Sequence, residues 1–200
     1  MKTAIAGTVL TVLTISLPVL ANTKTGYNFK GQNASISFYQ FDECNSKSVY
    51  IFASSNRTKN APGAPTEQMG ADISYYNYNN CTGEYSSGSG SSPNAKFTLD
   101  NQLSSGTLTG TFAVYDYLSD TTKTAEVNLT FTGIGLSYKG KNTSFNQTPT
   151  IITRSRSTGE YREAQVSGSV ILDGINLVAN TASSGNLSLT TSGYYEWIAK

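Results

Sequence analysis

From residue 105 to residue 133 the chain alternates apolar and polar side chains with a period of two. Leu108, Phe112 and Val114 fall on one face and Thr107, Thr109 and Thr111 on the other. After a polar break at residues 118–122, Ala125, Val127, Leu129 and Phe131 alternate with Thr124, Glu126, Asn128, Thr130 and Thr132. Two adjacent runs of this period predict half-buried antiparallel strands, each with one face in a core and one in water. Threonine suits such a strand because its branched Cβ is stiff at χ1 and packs well on a pleated surface.

Similar runs occur along the rest of the chain. Residues 36–41 predict an aromatic-rich strand, 49–53 a strand apolar on both faces, and 71–79 a strand with Ile73 and Tyr75 opposite Tyr76 and Tyr78. Residues 164–172 lead into Asp173-Gly174, a hairpin signal because both central residues of a type I′ turn need positive φ. Leu187 and Leu189 open a last strand that ends in Tyr194, Tyr195, Glu196, Trp197 and Ile198. Between these runs the polar segments read as connections. They are a long loop over 54–70 interrupted by Pro62 and Pro65, a flexible Ser/Gly run over 86–92, a Gly/Asn-rich stretch over 133–149, and a loop over 154–159 after a short edge strand at 150–153. About ten short strands separated by turn signals predict an all-β fold, an antiparallel β-sandwich, with a closed β-barrel as the alternative.

Residues 1–21 read as a secretory signal peptide: Lys2, an apolar run over 4–17, then Pro18-Val19-Leu20-Ala21 with small residues near the cleavage position. The run is short and interrupted by Thr, whereas a spanning helix needs about 20 predominantly apolar residues; no later segment predicts a membrane span. The expectation is a secreted or periplasmic protein whose residues 22–200 form one β-sandwich domain. Without Lys2 the 14 Lys and Arg fall to 13, against 13 Asp and Glu, so the exported chain has no net charge to attract nucleic acid or anionic lipid. Its two cysteines, Cys44 and Cys81, would meet an oxidising compartment and are expected to pair; two buried free thiols are the alternative.

Phe41-Asp42-Glu43-Cys44, Ile51-Phe52-Ala53-Ser54, Pro62-Gly63-Ala64-Pro65 and Cys81-Thr82-Gly83 form a pattern that resembles small exported bacterial proteins of unassigned activity. The resemblance covers the first half of the exported chain and the Leu-Thr-Phe-Thr-Gly run at 129–133. It implies export and the cysteine pair, and it transfers no catalytic residue.

The chain contains no histidine. That removes Ser-His-Asp and Cys-His nucleophile activation, the commonest general base, and the usual zinc ligand sets. Residues 135–142 come close to a phosphate-binding loop, but Asn142 stands where Ser or Thr would hold Mg²⁺ and no helix pattern follows. No cofactor is expected. Paired carboxylates could hydrolyse glycosidic bonds without histidine, yet Asp42, Glu43, Asp72, Asp100, Asp116 and Glu160 all read as lying near strand ends, where capping a turn is the simpler role.

The aromatic residues suggest more. Tyr76 and Tyr78 share a strand face, about 7 Å apart by strand rise, beside Asn77, Asn79 and Asn80, and Tyr194, Tyr195 and Trp197 cluster near the C-terminus. Flat rings flanked by amides can stack on sugars and hydrogen-bond their hydroxyls. The plainer account is that tyrosines fit half-buried sheet surfaces. The sequence therefore points to a non-enzymatic exported binding module, with a glycan or cell-surface component as partner and Tyr76, Tyr78, Tyr195 and Trp197 as candidate ligand-binding residues. A self-associating structural component is the alternative, and a histidine-free glycoside hydrolase the third reading.

Overall fold

The computed structural model describes residues 23–198; the predicted signal peptide lies outside them. Every element among the described residues is a β-strand: β1 (Thr23–Phe41), β2 (Asn45–Ala61), β3 (Pro65–Asn79), β4 (Tyr85–Ser92), β5 (Lys96–Leu99), β6 (Ser105–Asp116), β7 (Thr121–Gly133), β8 (Tyr138–Gln147), β9 (Ile151–Leu172), β10 (Ile175–Asn176) and β11 (Ala182–Ile198). All pairings are antiparallel. Neighbouring strands run β9-β11-β1-β2-β3-β4-β6, and β7 pairs with both β6 and β9, so the ladder wraps around a core as a barrel-like sandwich.

This wrapping holds for only part of the length. β4 meets β3 from Ala71 onward, and β7 meets β9 only from Ala164 onward. Beyond those points β8, β9, β11, β1, β2 and β3 continue as an open extension whose two edges, β8 and residues 65–70 of β3, have no further strand partner among the described residues. The all-β antiparallel expectation is met, and the molecule is not a closed barrel.

The core follows the period of two. Ala34, Ile36 and Phe38 of β1, Val49 and Ile51 of β2, and Leu108, Phe112 and Val114 of β6 are buried, as are Val127, Leu129 and Phe131 of β7 and Val166 and Val170 of β9. Thr107, Thr111, Thr124, Thr130 and Thr132 face outward. The turn after β5 brings the fully buried Leu103 under the extension. There Gln32 Nε2 donates to the Leu99 carbonyl (2.7 Å), Lys30 Nζ to Asn101 Oδ1 (2.8 Å), and the Gly133 N–H to the Ser104 carbonyl (2.9 Å). This hairpin turn is the floor between the apolar core and the polar extension.

Four segments expected to be loops are wholly or largely strand. Residues 54–70 form the far half of the β2–β3 hairpin, with the prolines confined to the turn and to the first position of β3, where a missing N–H does not interrupt the ladder. Their polar composition matches their exposure, since none of residues 54–70 is buried. Residues 85–92 form β4, a strand made of Ser and Gly because of what crosses it. A Cβ on Gly88 would lie 2.7 Å from the Tyr75 ring, which passes over this position to reach Asp116. Residues 138–147 form β8, and the expected loop at 154–159 lies inside the 22-residue β9. The Asp173-Gly174 turn is as expected, with φ of +50° and +80°.

Cys44 and Cys81 are joined in a disulfide with their Cα atoms 5.0 Å apart, across 37 residues of sequence. The bond ties the β1–β2 turn to the turn after β3, where the Asn80 N–H also donates to the Cys44 carbonyl (2.7 Å). Alkylation of the exported protein should add no mass before reduction and two alkyl groups after it. Uptake of alkyl groups without reductant would show that the bond does not form.

Candidate functional site

The register of the extension decides which side chains meet on its inner face, the continuation of the core-facing side. Reading across β1, β11, β9 and β8, one row is Lys24, Trp197, Ile152 and Gln147; the next is Gly26, Tyr195, Arg154 and Phe145; a third is Asn28, Gly193, Arg156 and Thr143. Directly opposed residues in an antiparallel pair have Cβ atoms about 4.5–5.5 Å apart, so side chains on neighbouring strands of one row lie within reach of each other.

Two glycines let the aromatic rings lie flat in this array. A Cβ on Gly26 would come within 2.9 Å of Tyr195 Cδ1 and 2.2 Å of the Tyr194 carbonyl oxygen. With no Cβ there, the Tyr195 ring lies across β1 and its hydroxyl donates to Asn28 Oδ1 at 2.6 Å. Gly193, opposite Asn28, likewise leaves space beside that amide. Trp197, two residues along, stacks on Tyr195 with ring centroids 6.0 Å apart and planes at 27°. The Lys24 ammonium sits 5.0 Å from the Tyr195 centroid and 5.4 Å from that of Trp197, within cation–π range of both.

These residues line a cleft of about 650 Å³ together with Asn28, Arg154, Arg156 and Thr191. A second groove of about 830 Å³ shares Arg154 and Trp197 with it and adds Lys141, Thr143, Phe145 and Ile152. Volumes of 300–1,000 Å³ are typical of small-ligand sites. The cleft offers stacking surface, an amide, a hydroxyl and cations.

The four sequence-predicted aromatics are not brought together. Tyr195 and Trp197 line the cleft, half-buried on the inner face. Tyr76 and Tyr78 lie on the outer face of β3, since Ile73 and Tyr75 on the alternate positions point into the core, and they sit at the disulfide end of the hairpin, opposite Ser48 and Ser46. Tyr76 is 44 % exposed and Tyr78 half-buried, and neither lines the clefts described here. Sequence reasoning missed Lys24, Asn28, Arg154 and Arg156. The signal that could have found the arginines was their i, i+2 spacing in a polar stretch of sheet periodicity.

Of the six carboxylates expected near strand ends, Asp42, Asp100 and Asp116 hold turns, whereas Asp72 and Glu160 lie within β3 and β9. Asp42 accepts from the N–H groups of Cys44 and Asn45, and Asp100 from those of Gln102, Ser104 and Ser105. Burial opposes ionisation of Asp100, but the donors from Ser104, Gln102 and Ser105 outweigh it and hold its carboxyl well below the usual range. Asp116 accepts from the Leu118 and Ser119 N–H groups, the Tyr75 hydroxyl and Lys123. Among the described residues no group of three or more His, Cys, Asp or Glu is placed to hold a metal ion, and no helix is long and apolar enough to cross a membrane.

No family model and no curated protein matches this chain. Among solved structures it is similar to a protein of Nitrosomonas europaea described as a candidate AttH, at 11 % identity over 86 % of this chain and 52 % of that one, with a TM-score of 0.33. The chain thus spans about half the length of that protein, and a likeness this slight carries no argument about fold or function.

Proposed function

We propose that the protein is an exported, non-enzymatic binding module that takes a glycan in the Tyr195–Trp197 cleft. The observation that carries this reading is the stacked aromatic pair itself. It is held in place by the Tyr195–Asn28 hydrogen bond at the wall of a cleft of about 650 Å³. A preset apolar ring face beside convergent amide, hydroxyl and cationic groups is what a sugar ring needs, since it offers one C–H face and a rim of hydroxyls. The disulfide and the leader-like N-terminal sequence support export. Of the two aromatic pairs, Tyr195 and Trp197 are the ligand-binding choice. Tyr76 and Tyr78, on a convex outer face, are the control.

On a glycan array Trp197→Ala is expected to weaken binding about tenfold or more, matching a stacking contribution of about 0.5–1.5 kcal/mol plus the ring's lost contact area. Tyr76→Ala should leave binding unchanged. Both substitutions should move the melting temperature by only a few degrees, because neither ring belongs to the core. Wild-type protein that binds no glycan, or binding untouched by Trp197→Ala, would overturn this reading.

A second reading, a structural or cell-surface component that self-associates, is favoured by one observation. All ten residues of β8 are exposed, and its outer edge has no strand partner among the described residues. Such an edge is a template for pairing with another chain. Light scattering across a wide concentration range tests it, and a monomer throughout would sink the idea.

A further inference from the structure

We propose that the ligand of the Tyr195–Trp197 cleft is an acidic glycan, a sugar chain bearing carboxylate or sulfate groups, laid from that cleft into the neighbouring groove. This rests on the glycan reading of the cleft and adds the charge class. Although Lys and Arg number 14 against 13 Asp and Glu in the whole chain, the two clefts are lined by Lys24, Arg154, Arg156 and Lys141 and by no carboxylate. The carboxylates that share this face of the sheet are engaged beside it: Glu160 pairs with Lys139 at 3.2 Å and Glu67 with Arg57 at 3.4 Å. A nearly neutral protein therefore presents a locally cationic wall, whose potential favours an anionic ligand.

The arrangement is more specific than charge alone. Arg154 stands directly opposite Tyr195 in the ladder, and Lys24 directly opposite Trp197, so each ring has a cation as its cross-strand neighbour. Arg154 and Arg156 point the same way from β9, about 7 Å apart by strand rise, each with a planar fork suited to a two-oxygen contact with carboxylate or sulfate. A sugar stacked on the ring pair would bring a substituent at its edge within reach of these groups. Arg154 and Trp197 are common to both clefts, which makes the two continuous and gives a chain somewhere to run, toward Phe145 and Lys141. A nucleic acid is the less fitting occupant. It would call for a domain that is basic overall, with a pI above about 9, whereas this chain has a sequence pI near 7.7, although Lys30, Lys59 and Arg162 share the inner face with the cleft cations.

The test compares matched neutral, uronate-bearing and sulfated oligosaccharides, with a single-stranded oligonucleotide as a further anion, at about 50 and 300 mM salt. Wild type, Arg154→Gln, Arg156→Gln and Trp197→Ala are measured side by side. The expected result is binding of acidic sugars at least about tenfold tighter than their neutral counterparts, weakened by salt, and reduced about tenfold by each Arg→Gln change. Trp197→Ala should reduce binding of the acidic sugars by a similar factor. Equal, salt-insensitive binding of neutral and acidic sugars would overturn the charge assignment and leave the glycan reading standing. Loss on Arg→Gln with no effect of Trp197→Ala would keep the anion and overturn the stacking. Oligonucleotide bound as tightly as the acidic sugars, or no binding of any sugar, would overturn the proposal. A circular dichroism melt of each variant, expected to match wild type, separates lost binding from lost fold.

Discussion

Asp116→Ala is expected to destabilise the protein by about 3–5 kcal/mol, as removal of one partner from a buried ion pair does. Asp116 closes the core at the end away from the cleft and is only 3 % exposed. It accepts from the Tyr75 hydroxyl at 2.7 Å, Lys123 Nζ at 2.9 Å, and the N–H groups of Ser119 and Leu118 at 2.9 and 3.1 Å. Its removal takes the acceptor from the Tyr75 hydroxyl and from two backbone N–H groups, and leaves Lys123 with Asp173 at 3.5 Å. Tyr75→Phe, which removes one donor and leaves the carboxylate its others, should cost only about 1 kcal/mol. Equal losses in the two variants, measured by urea unfolding, would show that the carboxylate is not the centre of the cluster.

The same cluster sets a pH window. The Ser119 N–H, the Tyr75 hydroxyl and Lys123 hold the Asp116 carboxyl well below its ordinary value of 3.8. Its stabilising contribution is therefore complete above pH 4 and is lost as pH falls below it. Burial first, and the bond to Asp116 second, push the Tyr75 phenol above its usual 10.0, while Asp116 raises Lys123 above 10.5. Both groups keep their protons more tightly in the folded state, so their contributions are complete below about pH 10 and decline as pH rises beyond it. In Asp116→Ala the acid-side loss of stability should shrink.

Leu129→Ala is expected to cost about 2–5 kcal/mol, while its neighbour Thr130→Ser shifts stability by about half a kcal/mol at most. Leu129 is fully buried, between Leu108 of β6 and Gly168 of β9 in the ladder. The surrounding sheet is paired on both sides of β7 here, so the backbone cannot collapse into the space a truncated side chain leaves. Thr130 points outward from the same stretch and has water as an alternative neighbour. Similar losses at both positions would contradict one-sided burial of β7.

Where apolar residues recur every second position, the sequence alone determined the outcome. The β6–β7 hairpin, the inward set of Leu108, Phe112, Val127, Leu129 and Phe131, the outward threonines and the Asp173-Gly174 turn all follow from a period of two and from the φ each turn residue tolerates. The turn roles of Asp42, Asp100 and Asp116 were legible for a similar reason, since a carboxylate near a strand end bonds the N–H groups two or three residues on. Segments such as 54–61, 85–92 and 154–159 read as loops because strand signals rest on burial, and these strands bury little of their length. Their ladders are stabilised by backbone pairing to neighbours far away in sequence, which composition does not record. The candidate site depended on that pairing entirely. Tyr195 and Trp197 stood out as residues, but only the register of β1, β11 and β9 set Lys24 opposite Trp197 and Arg154 opposite Tyr195. Charge shows the same division: the sum over the chain is a property of composition, whereas the concentration of cations on one inner wall arises from which faces the folded sheet turns toward each other.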